Sequence, residues 1–147
     1  MNPSAPWHHA PPVSADVAGG FVATEAPAMQ QSIRSALHPG EGKGGPVVIE
    51  AQFVTGAAER VVIEWRNRYV GFVPTSHLAE LRGQLAAVGK AVLWAPGLVY
   101  YDGKYWRVWV GPVPEGGFPD VEAGYDQLPE PPPSIFGIPL TRLRRDL

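Results

Sequence analysis

Proline confines regular structure in this chain more tightly than any other residue. Its ring fixes φ and removes a backbone donor, which bars it from helix interiors and central strands. Seventeen prolines are present, yet Pro74 alone lies between Val47 and Ala95. Seven stand at or before Pro46 and nine follow from Pro96 onward. The expected organisation is an extended arm over residues 1–45 with a short helix near 27–37, and a β-rich core over 46–111. A Pro-rich acidic arm with a basic tip follows over 112–147. Four of the five tryptophans (Trp65, Trp94, Trp106, Trp109) fall inside the core. Each large aromatic buries roughly 150–250 Å², which a core of about 65 residues needs, since domains of that size are marginally stable.

Periodicity divides the core into elements. Val47–Val54 reads as a strand, broken at Gly56-Ala57-Ala58. Glu59–Trp65 and Tyr69–Val73 read as a hairpin turning through Asn67-Arg68, with Trp65 opposite Val70 and Ile63 opposite Phe72. Leu78, Leu81, Leu85 and Val88 form a helical stripe, started after Pro74 with Thr75 or Ser76 as cap and stopped at Gly89. Lys90–Ala95 reads as a strand closed by Pro96-Gly97. Leu98–Tyr101 and Lys104–Val110 flank Asp102-Gly103, a favoured pair for a two-residue turn. That turn pairs Tyr100 with Tyr105 and Leu98 with Arg107. Upstream, Met29, Ile33 and Leu37 share one helical face behind Pro27. The expected fold class is mainly β with one central helix (α+β), as a small antiparallel sheet or a partly closed barrel with extended Pro/Gly-rich arms.

Enzymatic constellations are sparse. There is no cysteine, and none of the phosphate-loop, nucleophile-elbow or zinc-protease patterns occurs. His77 beside Ser76 reads as a helix-surface residue. His8-His9 offers too few ligands for a closed metal site. Neither catalysis, metal nor cofactor is expected. The candidate site is instead a mixed aromatic and basic face on the last hairpin: Tyr100, Tyr105, Arg107 and Trp109. Arg66, Arg68 and Tyr69 on the earlier hairpin have the same character. Aromatic rings on strands give unpaired bases a stacking platform, and arginine adds phosphate contact.

The stretch Arg68-Tyr69-Val70-Gly71-Phe72-Val73-Pro74, followed by a Leu-patterned helix and a further strand, resembles the second half of a HIRAN domain. The resemblance covers about Val61–Val110. It implies a compact, mostly β fold that recognises single-stranded DNA ends, and it carries over Tyr69 and Phe72 as base-contacting or core aromatics. The family's first-half loop has no counterpart in Gly56-Ala57-Ala58-Glu59-Arg60.

Charge is uneven along the chain. Val47–Gly111 holds seven basic residues against five acidic, whereas Pro112–Glu130 holds five acids and no Lys or Arg. The acidic arm is thus placed to screen the basic face. Ile135, Phe136, Ile138, Leu140, Leu143, Arg142, Arg144 and Arg145 read as a docking tip for another protein or subunit. The start of the chain lacks a secretory pattern and no membrane span is visible, so a cytoplasmic protein with no membrane partner is expected. The functional expectation is a non-enzymatic binding or adaptor module contacting single-stranded nucleic acid or a nucleic-acid-handling protein. The alternative is a structural or assembly protein, for example a phage or particle component, whose arms lace neighbouring subunits.

Overall fold

A computed structural model describes residues 10–121 and 124–126. The chain runs β1 (Val13–Ser14), β2 (Phe21–Val22), α1 (Ala26–Ala36), β3 (Val47–Thr55), a 3-10 turn (Ala57–Glu59), β4 (Val61–Trp65), β5 (Arg68–Phe72), α2 (Thr75–Val88), β6 (Leu93–Tyr101) and β7 (Trp106–Val110). The strands form a single seven-stranded sheet in the order β2-β7-β6-β3-β4-β5, with β1 parallel to β6. The sheet is otherwise antiparallel and curls strongly into a half-barrel. Its two edges touch at a bridge between Thr24 and Phe72. The expected fold class, mainly β with one central helix, is what forms: α2 is that helix, and α1 falls where a short helix was expected near 27–37.

Alternation builds the inner face. On β3, Ile49, Ala51 and Phe53 are buried while Val48, Glu50 and Gln52 are exposed, the period of a strand with one wet side. On α2 only Leu81 is fully buried; Leu78, Leu85 and Val88 pack partly against the core. No side chain caps this helix; Pro74 occupies the cap position and its carbonyl accepts from the His77 N–H at 2.9 Å. Gly89, with φ 61°, ends it.

The stretch expected as an arm contributes directly to this core. Phe21 and Val22 pair with Val110 and Trp109, and Ile33 of α1 is fully buried. Gln30 ties α1 to the β7 edge. Its side-chain amide donates to the Trp106 carbonyl and accepts from the Trp106 N–H, both at 2.8 Å. A side-chain amide thus completes the ladder where no strand continues. The N-terminus of α1 is fixed by Glu25, which is buried and ion-paired with Arg60. The Arg60 guanidinium in turn lies over the Phe72 ring, 3.6 Å from its centre.

The strands β4, β6 and β7 start later than expected, at Val61, Leu93 and Trp106, and one expected end is absent. Pro96-Gly97 does not close a strand, because β6 runs through both residues. The Pro96 carbonyl accepts from Gly111 N–H. A residue's two backbone groups point to the same neighbour in an antiparallel ladder, so the donor that Pro96 lacks would face the gap between β1 and β7. No ladder bond is lost there. At Gly97 a Cβ would collide with the Trp109 carbonyl oxygen, which is why β6 and β7 approach so closely.

Candidate nucleic-acid interface

The hairpin of β6 and β7 is organised by Asp102. One carboxylate oxygen accepts from the backbone N–H groups of Lys104 and Tyr105, both at 2.8 Å. The other accepts from Arg107 Nε. Burial pushes this carboxyl up, but hydrogen bonds from Tyr105, Arg107 and Lys104 outweigh it and hold the group below the usual carboxylate value. With four residues in the loop, Tyr101 pairs with Trp106, Tyr100 with Arg107 and Leu98 with Trp109. The expected two-residue turn is therefore replaced, and every pair shifts by two positions. An even shift keeps each side chain on its expected face.

That face is covered. Tyr100 is 7% exposed, and Arg107 and Trp109 are each 4% exposed, so the open platform expected from these three residues does not exist in this arrangement. Together with Val22 and Leu98, Tyr100 and Trp109 form a second apolar cluster beneath Phe118, Val121 and Tyr125. The Phe118 ring stacks on Tyr100 at 3.8 Å with an interplanar angle of 3°. Asp126 takes Arg107 Nη1 and Nη2 at 2.7 and 3.0 Å, a bidentate fork. The indole N–H of Trp109 donates to the Pro112 carbonyl at 2.8 Å. Burial pushes the Tyr100 hydroxyl up to about 12. The Asp126 hydrogen bond, aided by Asp102 and opposed by burial, raises the Arg107 guanidinium above its ordinary value. Phe118, Val121 and Asp126 are the residues of the acidic arm that cover this face; the sequence placed the arm to screen it without singling them out. Their signal was the acidic run with spaced aromatics following directly after it.

The earlier hairpin is two positions out of its expected register at its tip and one position out beyond a bulge. Arg66 and Asn67, at φ 51° and 63°, make the turn, and Trp65 pairs with Arg68. A bulge then leaves Val70 unpaired before Ile63 meets Gly71. Trp65, Ile63 and Val70 are buried as expected, and Tyr69 is 52% exposed. Arg66 is committed locally: it forks onto Glu41 at 2.7 and 3.0 Å, donates to the Ala36 carbonyl at 2.8 Å, and lies over Trp65. The hydrogen bond from Arg66 lowers the Glu41 carboxyl to about 2.

Both hairpin tips lie at the same end of the half-barrel, because β3 starts between them and pairs with β6 and β4. The C-terminus of α1 reaches that end through Ala36 and Arg66. Exposed Arg34, Lys43, Arg68 and Lys104 make no ion pair among the described residues. Tyr101 is 52% exposed, and Lys104 and Arg107 both approach the half-buried Tyr105 ring. Glu64 stands opposite Tyr69 and opposes anions on that flank. Of the predicted residues, Arg68, Tyr69 and Tyr105 stay accessible at this end, and Tyr100, Arg107 and Trp109 lie beneath the covering segment.

Elsewhere, Ser76 Oγ stands 3.0 Å from His77 Nδ1, while the His77 ring leans on Phe21 at 4.7 Å. The predicted docking tip (Ile135, Phe136, Ile138, Leu140, Arg142, Leu143, Arg144, Arg145) lies outside the described residues, as do His8 and His9. No helix among the described residues is long and apolar enough to cross a membrane. Comparison with protein-family models, with curated proteins and with solved structures finds no match to this chain.

Proposed function

We propose that this chain is a non-enzymatic binding module that holds single-stranded nucleic acid across the end of the half-barrel where its two hairpin tips lie on either side of β3. The supporting observation is the exposed rim: Tyr69 and Tyr101 half in solvent, with Arg68 and Lys104 unpaired among the described residues. Stacking on such rings is worth about 1–3 kcal/mol per base and tolerates any sequence. The free cations supply the salt-dependent phosphate contacts. The likeness of Arg68–Pro74 to the HIRAN pattern points to the same ligand class. Anisotropy of a labelled single-stranded oligonucleotide tests the reading. Binding weakens steeply between about 50 and 200 mM salt, is lost in Arg68→Ala with Tyr69→Ala, and strengthens in Glu64→Gln. Absence of binding at low salt overturns it.

A second reading is favoured by a different observation. The chain lays its own extended segment on an outer sheet face, through Phe118, Val121 and Asp126, so the fold accommodates peptide arms. In an assembly protein that segment seats on a neighbour. A solution mass of several chains, without oligonucleotide binding, decides for this reading.

A further inference from the structure

We propose that Tyr100, Arg107 and Trp109 form a second nucleotide subsite, and that the chain's own Phe118 and Asp126 occupy it in place of a base and its phosphate. The proposal deepens the reading above, with the same ligand class at a different set of residues.

A single strand brings a flat ring and an oxyanion to the protein. The segment brings the same two groups: Phe118 lies parallel on Tyr100, and both Asp126 oxygens engage the Arg107 fork. The subsite stays formed when the segment leaves. Asp102 holds Arg107 through Nε and belongs to the hairpin itself, so the two terminal nitrogens that Asp126 uses remain aimed outward. A guanidinium pinned from one side has little freedom left to lose on binding an oxyanion.

The covering segment carries a hinge. Its Tyr125 carbonyl accepts from the Glu25 N–H at 2.7 Å. Gly116 and Gly117 precede Phe118 at φ 80° and 96°, with open space around both, a hinge that side chains would stiffen. A cavity of about 410 Å³ already lies between the segment and the hairpin tip, lined by Tyr100, Tyr101, Asp102, Arg107, Phe118 and Asp120. It joins the covered face to the exposed Tyr101 rim, so one strand passes from the rim to the subsite. Asp120, Glu122 and Asp126 make the segment a tethered polyanion, and short tethers hold a competitor at about millimolar effective concentration.

The test uses the full chain and a fluorescein-labelled oligothymidylate of about ten nucleotides, within the range one small barrel covers. Asp126→Asn, Phe118→Ala and the double variant are compared with the parent, with circular dichroism as the check on folding. Asp126→Asn removes only a charge from a partly exposed carboxylate, so it keeps the test open where Phe118→Ala fails to fold. Loosening of the segment is read separately, as earlier ionisation of Tyr100. The expected result is affinity raised by about tenfold or more, with the gain cancelled by Arg107→Lys in the loosened background. Folded variants that ionise Tyr100 earlier and bind no tighter overturn the subsite; the rim reading survives if parent binding still depends on Arg68 and Tyr69. Tyr100 ionisation unmoved in the double variant also overturns it, since the segment is then not held by these contacts. Tight binding by the variants alone supports the subsite and removes the rim. Oligonucleotide bound by none removes both, and self-association of the variants assigns the face to a second copy.

Discussion

Arg107 sits between carboxylates from both directions along the chain, Asp102 five residues before it and Asp126 nineteen after it. Arg107→Ala leaves two anions facing each other in a largely covered site. It should destabilise the chain by about 2 kcal/mol, measured by urea denaturation, and more than either Asp126→Asn or Asp102→Asn. Tyr100 carries a pH signature of the same site. Its folded-state value is raised to about 12 by burial, while the unfolded group ionises near its ordinary value of about 10. The contribution to stability is therefore complete below pH ~10 and is lost as pH rises through ~12. Absorbance titration should show Tyr100 ionising late, with the melting temperature falling across that interval. Gly97 illustrates a different constraint. Gly97→Ala drives a methyl into the Trp109 carbonyl, so thermal denaturation should show a loss of roughly 1–3 kcal/mol, the usual range for overpacking.

At the scale of elements, patterning located the strands and sorted their faces, but not their register. The β6–β7 hairpin slid by two positions throughout, and the β4–β5 hairpin by two at its tip, where a bulge at Val70 then takes up one. The pleat repeats every two residues, so an even slip leaves the buried set unchanged and the hydrophobic pattern cannot register it. What decided the slip was local polar chemistry. Asp102 satisfies two backbone donors in a four-residue loop, and Arg66-Asn67 takes the left-handed turn in place of Asn67-Arg68. Pro96 was read as a strand end because the missing donor matters only where a neighbour waits for it, and adjacency in a sheet is not written in local sequence. The α2 stripe was legible in full, and its energetics are uneven. Leu81 alone is completely buried, so Leu81→Ala should cost about 2–5 kcal/mol in equilibrium unfolding, with Leu85→Ala costing clearly less.

The molecule as a whole closes at its ends. The sheet's seam is the Thr24–Phe72 bridge, with bonds of 2.9 and 3.4 Å, whereas β3 and β6 share seven paired positions. Amide exchange should accordingly open Thr24 and Phe72 well before Ala51 and Ala95. That Phe118, Val121, Tyr125 and Asp126 are the residues over the aromatic face was not legible, because alternation places Tyr100 and Trp109 on the outer side without saying which side chains lie over it. The acidic run was visible; its folding back depends on contacts between segments far apart in the chain. Trp109 is where those contacts converge. Gly20 packs so close that a Cβ there would stand 2.6 Å from the indole, and from the other direction the same indole meets Pro112 and Phe118. The two termini of the described fold thus lean on one ring, and by reciprocity whatever unseats one loosens its counterpart. Early and late stretches of the polypeptide, which never touch along the sequence, should therefore lose their footing together.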